Sequence, residues 1–309
     1  MKQSFERFTK KNLLINILLS ILYLGFNIVI GDLRPEHTFL VILWWFLFYA
    51  GEKTRRFAMA YIPFIIFWVL YDAMRAVPNY TVNTAHIQEP YEFEKHWFGI
   101  HDVGQLLTPN EYFAAHTHKI LDFLSGFFYI NWMPIPLGFG LYLFLKNKPL
   151  FLEFALAFLL VNIVGFIFYY IYPAAPPWYV AKYGFDLHIG VPGSRAGLIR
   201  FDKLIDYPLF KNIYEKNANV LAAMPSLHAT YPLIVLYYSI KAKMPKFWIT
   251  IFAIFTLGIW FSAVYSNHHY VIDVIAGVFI AVIVLWLFDR FLLKTNSFSG
   301  LIQQWKRNI

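Results

Sequence analysis

The chain has 309 residues, of which 59% are hydrophobic and only 14% charged, against the roughly 25% charged residues of a soluble domain. That excludes a soluble globular protein, and the formal net charge of +8 is better explained by basic loops on one side of a membrane than by nucleic-acid binding. Cysteine is absent, which removes disulfides, thiolate chemistry and cysteine-based metal sites.

Uncharged runs occupy 12–31, 37–51, 57–71, 123–145, 154–181, 217–240, 247–272 and 274–288. Several reach the roughly 20 residues that a helix needs to cross a bilayer, and none shows the period-two alternation of lipid-facing barrel strands. The expected fold is an all-α polytopic membrane protein with about eight transmembrane helices, at about 13–30, 38–50, 57–74, 120–145, 149–172, 225–241, 247–265 and 270–293. The first run follows Lys2, Arg7, Lys10 and Lys11, is too long for a signal-peptide core and has no small-residue cleavage site after it. It reads as a retained helix. The second is short, and its Trp44-Trp45 pair leaves a re-entrant or interfacial piece open. Asp72 and Arg75, three residues apart at the outer end of the third, are expected to form a structural pair. Pro134 and Pro136 should kink the fourth.

If all eight cross, one side carries Lys2, Arg7, Lys10, Lys11, Lys53, Arg55, Arg56, Lys146, Lys148, Lys241, Lys243, Lys246, Arg290, Lys294, Lys306 and Arg307, sixteen of the twenty-six basic residues. Both termini are therefore expected in the cytoplasm. The other side carries two long segments. Residues 76–119 are somewhat acidic, with Glu89, Glu92, Glu94, Asp102 and Glu111, and their aromatic residues suit a membrane surface. Residues 173–224 carry Lys182, Arg195, Arg200, Lys203, Lys211 and Lys216 against the positive-inside trend, which is consistent with an anionic substrate or with loop charge balanced by Asp186, Asp202, Asp206 and Glu215. The chain divides into N-terminal helices at 1–56, a six-helix core at 57–293 and a cytoplasmic tail at 294–309.

The chemistry-bearing residues lie in Pro225-Ser226-Leu227-His228 and His269-Tyr270-Val271-Ile272-Asp273. The sixth helix descends from His228 to the basic turn Lys241–Lys246 and the seventh climbs back, so His228 and His269 share the non-cytoplasmic face. Asp273 follows His269 by one helical turn and can orient its imidazole. Phosphoryl transfer through a histidine needs such a nucleophile, a second histidine as acid and donors for the phosphate oxygens. The helix start at Ser226 offers free N–H groups. A packed structural role for these histidines is the bland alternative. A zinc site on His228, His268, His269 and Asp273 is another, though it lacks a clear ligand set and His116 and His118 lie in a different loop. His268 is a neighbour, because position 272 offers no carboxylate.

These two blocks resemble the type 2 phosphatidic acid phosphatase superfamily, whose members carry Pro-Ser-Gly-His and a later His-x-x-x-Asp. The resemblance implies His269 as nucleophile, Asp273 as its orienting carboxylate, His228 as proton donor, no cofactor and no metal. Its six-helix fold corresponds to the third to eighth helices here. Two phosphate-binding cations of the phosphatases are missing. The only Arg-Pro pair is Arg34-Pro35, with Asn27 where a lysine should precede it, and Ser262-Ala263 stands where Ser-Arg should. Leu227, the upstream Pro173-Ala174-Ala175-Pro176-Pro177-Trp178-Tyr179 and Gly193-Ser194-Arg195-Ala196-Gly197-Leu198 are similar to the inositol phosphorylceramide synthase branch. That branch implies transfer of inositol phosphate from phosphatidylinositol to ceramide through a phosphohistidine. Ser226, Arg195 and Arg200 are the expected phosphate contacts, and Trp178 and Tyr179 either pack on inositol or anchor the loop. The active site would face the periplasm or the Golgi lumen. A lipid phosphatase acting on phosphatidate, sphingoid or polyprenyl phosphates is the alternative enzyme, and a lipid or ion transporter with a histidine relay the alternative of another class.

Overall fold

The computed structural model describes residues 8–30, 33–215, 219–306 and 309. Lys2, Arg7, Lys216 and Arg307, counted in the charge argument, lie outside them. The described residues form sixteen α-helices and one short hairpin. In chain order the first helices are α1 (Lys10–Val29), α2 (Pro35–Ala50), α3 (Glu52–Ala60) and α4 (Ile62–Ala73). An outer layer follows: α5 (Gln88–Phe98), strands β1 (Ile100–Asp102) and β2 (Gln105–Leu107), and α6 (Pro109–Ala115). Then come α7 (Lys119–Tyr129), α8 (Pro134–Lys146), α9 (Lys148–Ile171), and the short α10 (Pro177–Tyr183), α11 (Ile199–Leu204) and α12 (Leu209–Tyr214). The chain closes with α13 (Leu227–Lys241), α14 (Lys246–Tyr265), α15 (Val271–Arg290) and α16 (Asn296–Lys306).

Four stretches are long and apolar enough to cross a membrane: Lys10–Val29, Lys148–Ile171, Lys246–Tyr265 and Val271–Lys294. Two bent pairs raise the number to six. Glu52–Ala60 and Ile62–Ala73 meet at 52°, next to Pro63, and Lys119–Trp132 and Pro134–Lys146 meet at 45°. The second bend is the expected proline kink, since Pro134 supplies no N–H to the preceding turn. All eight expected segments are helical, but α2 and α13, at 16 and 15 residues, are shorter than these spans.

The N-terminal hairpin is held by polar contacts, the usual way to join helices where lipid removes the hydrophobic driving force. Trp44 Nε1 donates to Asn16 Oδ1 (2.6 Å), Trp45 Nε1 to Ser20 Oγ (2.9 Å) and Asn16 Nδ2 to the Tyr49 hydroxyl (3.2 Å). The tryptophan pair thus bonds α2 to α1. At the other end of this hairpin, Asp72 pairs with Arg75 (3.6 Å), as expected, but more closely with His37 (2.7 Å) and with Arg34.

The core proper surrounds α9, whose Phe151, Phe154, Phe158 and Val161 are wholly buried against α4, α8 and α13. Inside it the Tyr231 hydroxyl donates to Asn162 Oδ1 (2.6 Å), while Asn162 Nδ2 donates to the Phe158 carbonyl (2.8 Å). Tyr231 and Asn162 thereby satisfy one another, which apolar surroundings favour.

The two long segments assigned to the non-cytoplasmic side fold together over one end of the bundle. His86 N–H donates to the Pro173 carbonyl (2.7 Å), Ala174 N–H to Leu221 (2.9 Å) and Ala175 N–H to His86 (3.0 Å). This cap rests on the turn between α14 and α15. Phe93, Trp97 and Val103 remain exposed, while Glu94 and Asn110 of the same segment turn inward.

Candidate active site

Three local structures place the site. Ser226 caps α13, its hydroxyl accepting the Ala229 N–H (3.4 Å), so the helix starts at Leu227 as its Pro-Ser signal suggests. The Ser226 N–H donates to the Asp273 carbonyl (2.9 Å), joining the start of α13 to that of α15. After α14, the N–H groups of His268 (3.1 Å) and His269 (3.0 Å) both return to the Ala263 carbonyl. That tight turn sends the His269 ring back toward α13.

Two residues of the outer cap hold this turn from above. Asn110 Nδ2 donates to the carbonyls of Val264 (2.8 Å) and His269 (3.0 Å). The Glu94 carboxylate accepts the free N–H groups of Val271 (2.8 Å) and Ile272 (3.2 Å) at the start of α15. Neither role was recognisable in the sequence, where Glu94 is one of several acidic residues in a loop and Asn110 lies inside a Thr108–Glu111 helix-start motif that points to no distant partner.

The histidines meet. His228 Nδ1 lies 3.1 Å from His269 Nε2, and His269 Nδ1 lies 3.5 Å from Asp273 Oδ2. His228 is half-buried, whereas His269 is 4% exposed and Asp273 not at all. A hydrogen bond between two imidazoles needs one donor and one acceptor. With Nδ1–H of His269 toward the carboxylate, its Nε2 carries the lone pair and His228 Nδ1 the proton. Asp273 Oδ2 accepts the Tyr270 N–H (2.9 Å), which fixes the carboxylate.

His268 stands beside this pair. Its Nε2 donates to the Arg195 carbonyl (3.2 Å), and its ring packs against those of both Tyr129 (5.2 Å) and Tyr214 (4.6 Å). Burial, with the charge of His269, pushes its pKa down to about 3. It is neutral at physiological pH and serves as a wall.

Burial pushes the Glu94 carboxyl up to about 7, with the charge of Asp273 adding and the two backbone N–H bonds opposing. The folded chain therefore retains a proton that the unfolded chain loses above its ordinary pKa of 4.5. Stability from this group is greatest below about 4.5 and is lost as pH rises through about 7, by at most roughly 3 kcal/mol. Glu94→Gln keeps an acceptor for the helix start but has no proton to lose. Thermal unfolding in detergent at stepped pH is expected to show wild type losing stability relative to Glu94→Gln between pH 4.5 and 7. Parallel curves would refute the assignment.

The other expected contacts are distributed differently. Arg195 Nη1 is paired with Asp202 (2.8 Å), and Arg200 Nε with Asp122, its Nη2 donating to the Tyr265 carbonyl (3.2 Å). Both brace the loop against His268 and the end of α14. Tyr179 is fully buried, donating to the Asp186 carbonyl (3.0 Å) and accepting the His188 N–H (2.7 Å). Trp178 packs beside it, and its N–H reaches the Asn267 carbonyl (3.1 Å). These two form the small core of the cap. Leu227, which replaces the glycine of the phosphatases, packs on Gly165; a Cβ there would lie 2.6 Å from Leu227 Cδ2.

The arrangement can present an imidazole lone pair to an electrophile, with a proton donor facing it and a carboxylate behind. A family model described as PAP2 superfamily matches residues 106–287, the stretch that contains both histidine blocks. The chain is 43% identical to a phosphoinositol dihydroceramide synthase of Bacteroides thetaiotaomicron over 302 residues, covering 97% of this chain and 99% of the relative. It is 28% identical to an inositol phosphorylceramide synthase of Candida albicans over 198 residues, 62% of this chain and 41% of that protein. A Saccharomyces cerevisiae inositol phosphorylceramide synthase catalytic subunit is 33% identical over 125 residues, 38% of this chain and 29% of that one. No solved structure gives a significant match. The profile match over more than half of the chain, agreeing with the full-length likeness to the bacterial synthase and with the two histidine blocks, makes this protein a member of the PAP2 superfamily.

Proposed function

We propose that the chain is a membrane phosphotransferase that moves inositol phosphate from phosphatidylinositol to ceramide and releases diacylglycerol. The observation that carries the chemistry is the relay of His228, His269 and Asp273, at 3.1 and 3.5 Å. The bacterial relative, named phosphoinositol dihydroceramide synthase and similar over its full length, supports the lipid pair.

His269 Nε2 attacks phosphorus as the bond from phosphorus to the diacylglycerol oxygen breaks, and His228, entering as imidazolium, gives that oxygen a proton and is left neutral. The ceramide hydroxyl then attacks the phosphohistidine, losing its proton to His228, and His269 departs. Two in-line displacements retain configuration at phosphorus. The imidazoles are too close for a phosphate to enter between them, since reacting atoms need about 3–3.5 Å on each side. The half-buried His228 ring turns aside, while Asn110 and Asp273 hold His269. Aromatic walls from Trp132 (4.7 Å from the His228 ring) and Tyr129 (5.3 Å) exclude water, which favours a lipid hydroxyl as acceptor. Ser226 contributes through the amino end of α13. Arg195 and Arg200, each paired with a carboxylate, act through the loop they brace, and Trp178 and Tyr179 keep that loop in place.

The site faces the non-cytoplasmic side and the described basic turns face the cytoplasm, with both termini there. The α13 helix supports this despite its length. It bonds to α15 at Ser226–Asp273 and again where Lys241 meets Asp289 (2.9 Å). It therefore reaches as deep as the stretch of α15 between those contacts, and α2 completes eight crossings.

Purified protein given labelled phosphatidylinositol and ceramide is expected to form labelled inositol phosphorylceramide and diacylglycerol in equal amounts. Release of inositol phosphate or inorganic phosphate without a new sphingolipid would sink the transfer reading in favour of a lipid phosphatase.

A further inference from the structure

The site lacks the two cations with which the phosphatases hold phosphate, yet two phenols at its inner wall make no hydrogen bond of full geometry. Tyr129 comes from the end of α7 and is 0% exposed; Tyr214 comes from α12 and is 8% exposed. Neither hydroxyl has a hydrogen-bond partner among the described residues. Leaving a buried hydroxyl unbonded costs about 1–3 kcal/mol, so two in one wall mark a place where a ligand supplies the partner.

Both rings belong to the histidine cluster. Tyr129 lies 5.3 Å from the His228 ring and 5.2 Å from that of His268; Tyr214 lies 6.3 and 4.6 Å from the same two. The two phenols stack on each other at 6.3 Å, with planes 26° apart; their hydroxyls approach one another, and Trp132 approaches that of Tyr214, but neither contact reaches full hydrogen-bond geometry. Burial holds the Tyr214 hydroxyl far above its ordinary range, so it remains a donor at any physiological pH.

We propose that the Tyr129 and Tyr214 hydroxyls donate to the non-bridging oxygens of the lipid phosphodiester as it is transferred, in place of the missing cations. This rests on the transfer reading above and deepens it to the phosphate subsite. A phosphodiester carries one negative charge spread over two such oxygens, and two neutral donors match it. A phosphomonoester carries nearly two charges, which neutral donors in a dry site leave uncompensated. The pair therefore also selects diester lipids over phosphatidate. The developing charge on these oxygens in each displacement strengthens both bonds, so the donors act on the transition state.

Tyr129→Phe, Tyr214→Phe and the double variant test this, because each change removes only an oxygen. Each single variant is expected to lower kcat about 10²-fold with KM changed less than threefold. The double variant is expected to lose more, and all three should unfold close to or above the wild-type temperature, since no protein hydrogen bond of full geometry is lost. A double variant within threefold of wild-type kcat would overturn the proposal, as would a loss of rate matched by a lower unfolding temperature. Wild-type protein that hydrolyses phosphatidylinositol without transferring would sink the transfer reading alone. The same variants would then slow hydrolysis by the same factor if the subsite is right.

Discussion

Replacing His269 with alanine is expected to abolish transfer, by at least about 10⁴-fold in kcat, while phosphatidylinositol still binds. The size follows from the chemistry: the lone pair that attacks phosphorus is removed, and no neighbour is set up to replace it. His268 is adjacent in sequence, but its Nε2 is committed to the Arg195 carbonyl and no carboxylate lies behind its ring. His228 faces His269 and has no orienting acid. The check is single-turnover transfer with phosphatidylinositol labelled at phosphorus and no ceramide present. Wild type should accumulate acid-labile label on the protein, and His269→Ala none. Labelled protein from the alanine variant, or full transfer by it, would remove His269 as nucleophile. The change should cost little stability, because the Asn110 bond and the turn onto Ala263 use the backbone of residue 269 alone.

Gly277→Ala is expected to lower kcat about 10²-fold, together with a lower unfolding temperature. Gly277 lets α15 pass against the start of α13. A Cβ there would clash with the Ser226 carbonyl oxygen and lie 3.2 Å from its carbon, and backbone cannot swing away as a side chain can. Ser226 is also tied to Asp273 and caps α13. The start of α13 must then move outward and carry His228 with it. A misplacement of about 1 Å costs roughly 10² in rate, and overpacking typically costs about 1–3 kcal/mol. Gly138, in α8, is the control: it is exposed, and a Cβ added there would meet nothing within 4 Å. Gly138→Ala should keep full rate and unfold no earlier than wild type. Equal rates for both variants would show that the contact at Gly277 does not set the histidine geometry.

Much of the histidine–aspartate cluster was legible because its spacing is local. His269 and Asp273 are one helical turn apart, and helical periodicity alone brings such residues to one face. Opposing His228 to His269 needed one further inference, that the intervening hairpin descends and returns, which apolar run length and the basic turn at 241–246 supply. The Pro134 kink was readable for a similar reason: a missing N–H acts on its own helix. Span length was less readable. Apolar composition marked α2 and α13 as segments, and α2 as short, but did not reveal that α13 is shorter still.

The phosphate contacts followed a different logic. Arg195 and Arg200 drew attention as positive charge on the unexpected side, but charge along a sequence does not reveal its partner. Asp202 and Asp122 pair with them. Trp178 and Tyr179 looked equally suited to a sugar or an interface, and they form the interior of the cap. Composition by itself therefore determined that this is a membrane protein, and local spacing determined which histidine has an acid behind it. Only the tertiary structure could bring Glu94 and Asn110 onto the turn that holds His269, or place Tyr129 and Tyr214 beside His228. Those contacts join residues from about 15 to 180 positions apart. At such separations no helical period relates one residue to the other, and the packing of whole helices decides which polar tips meet.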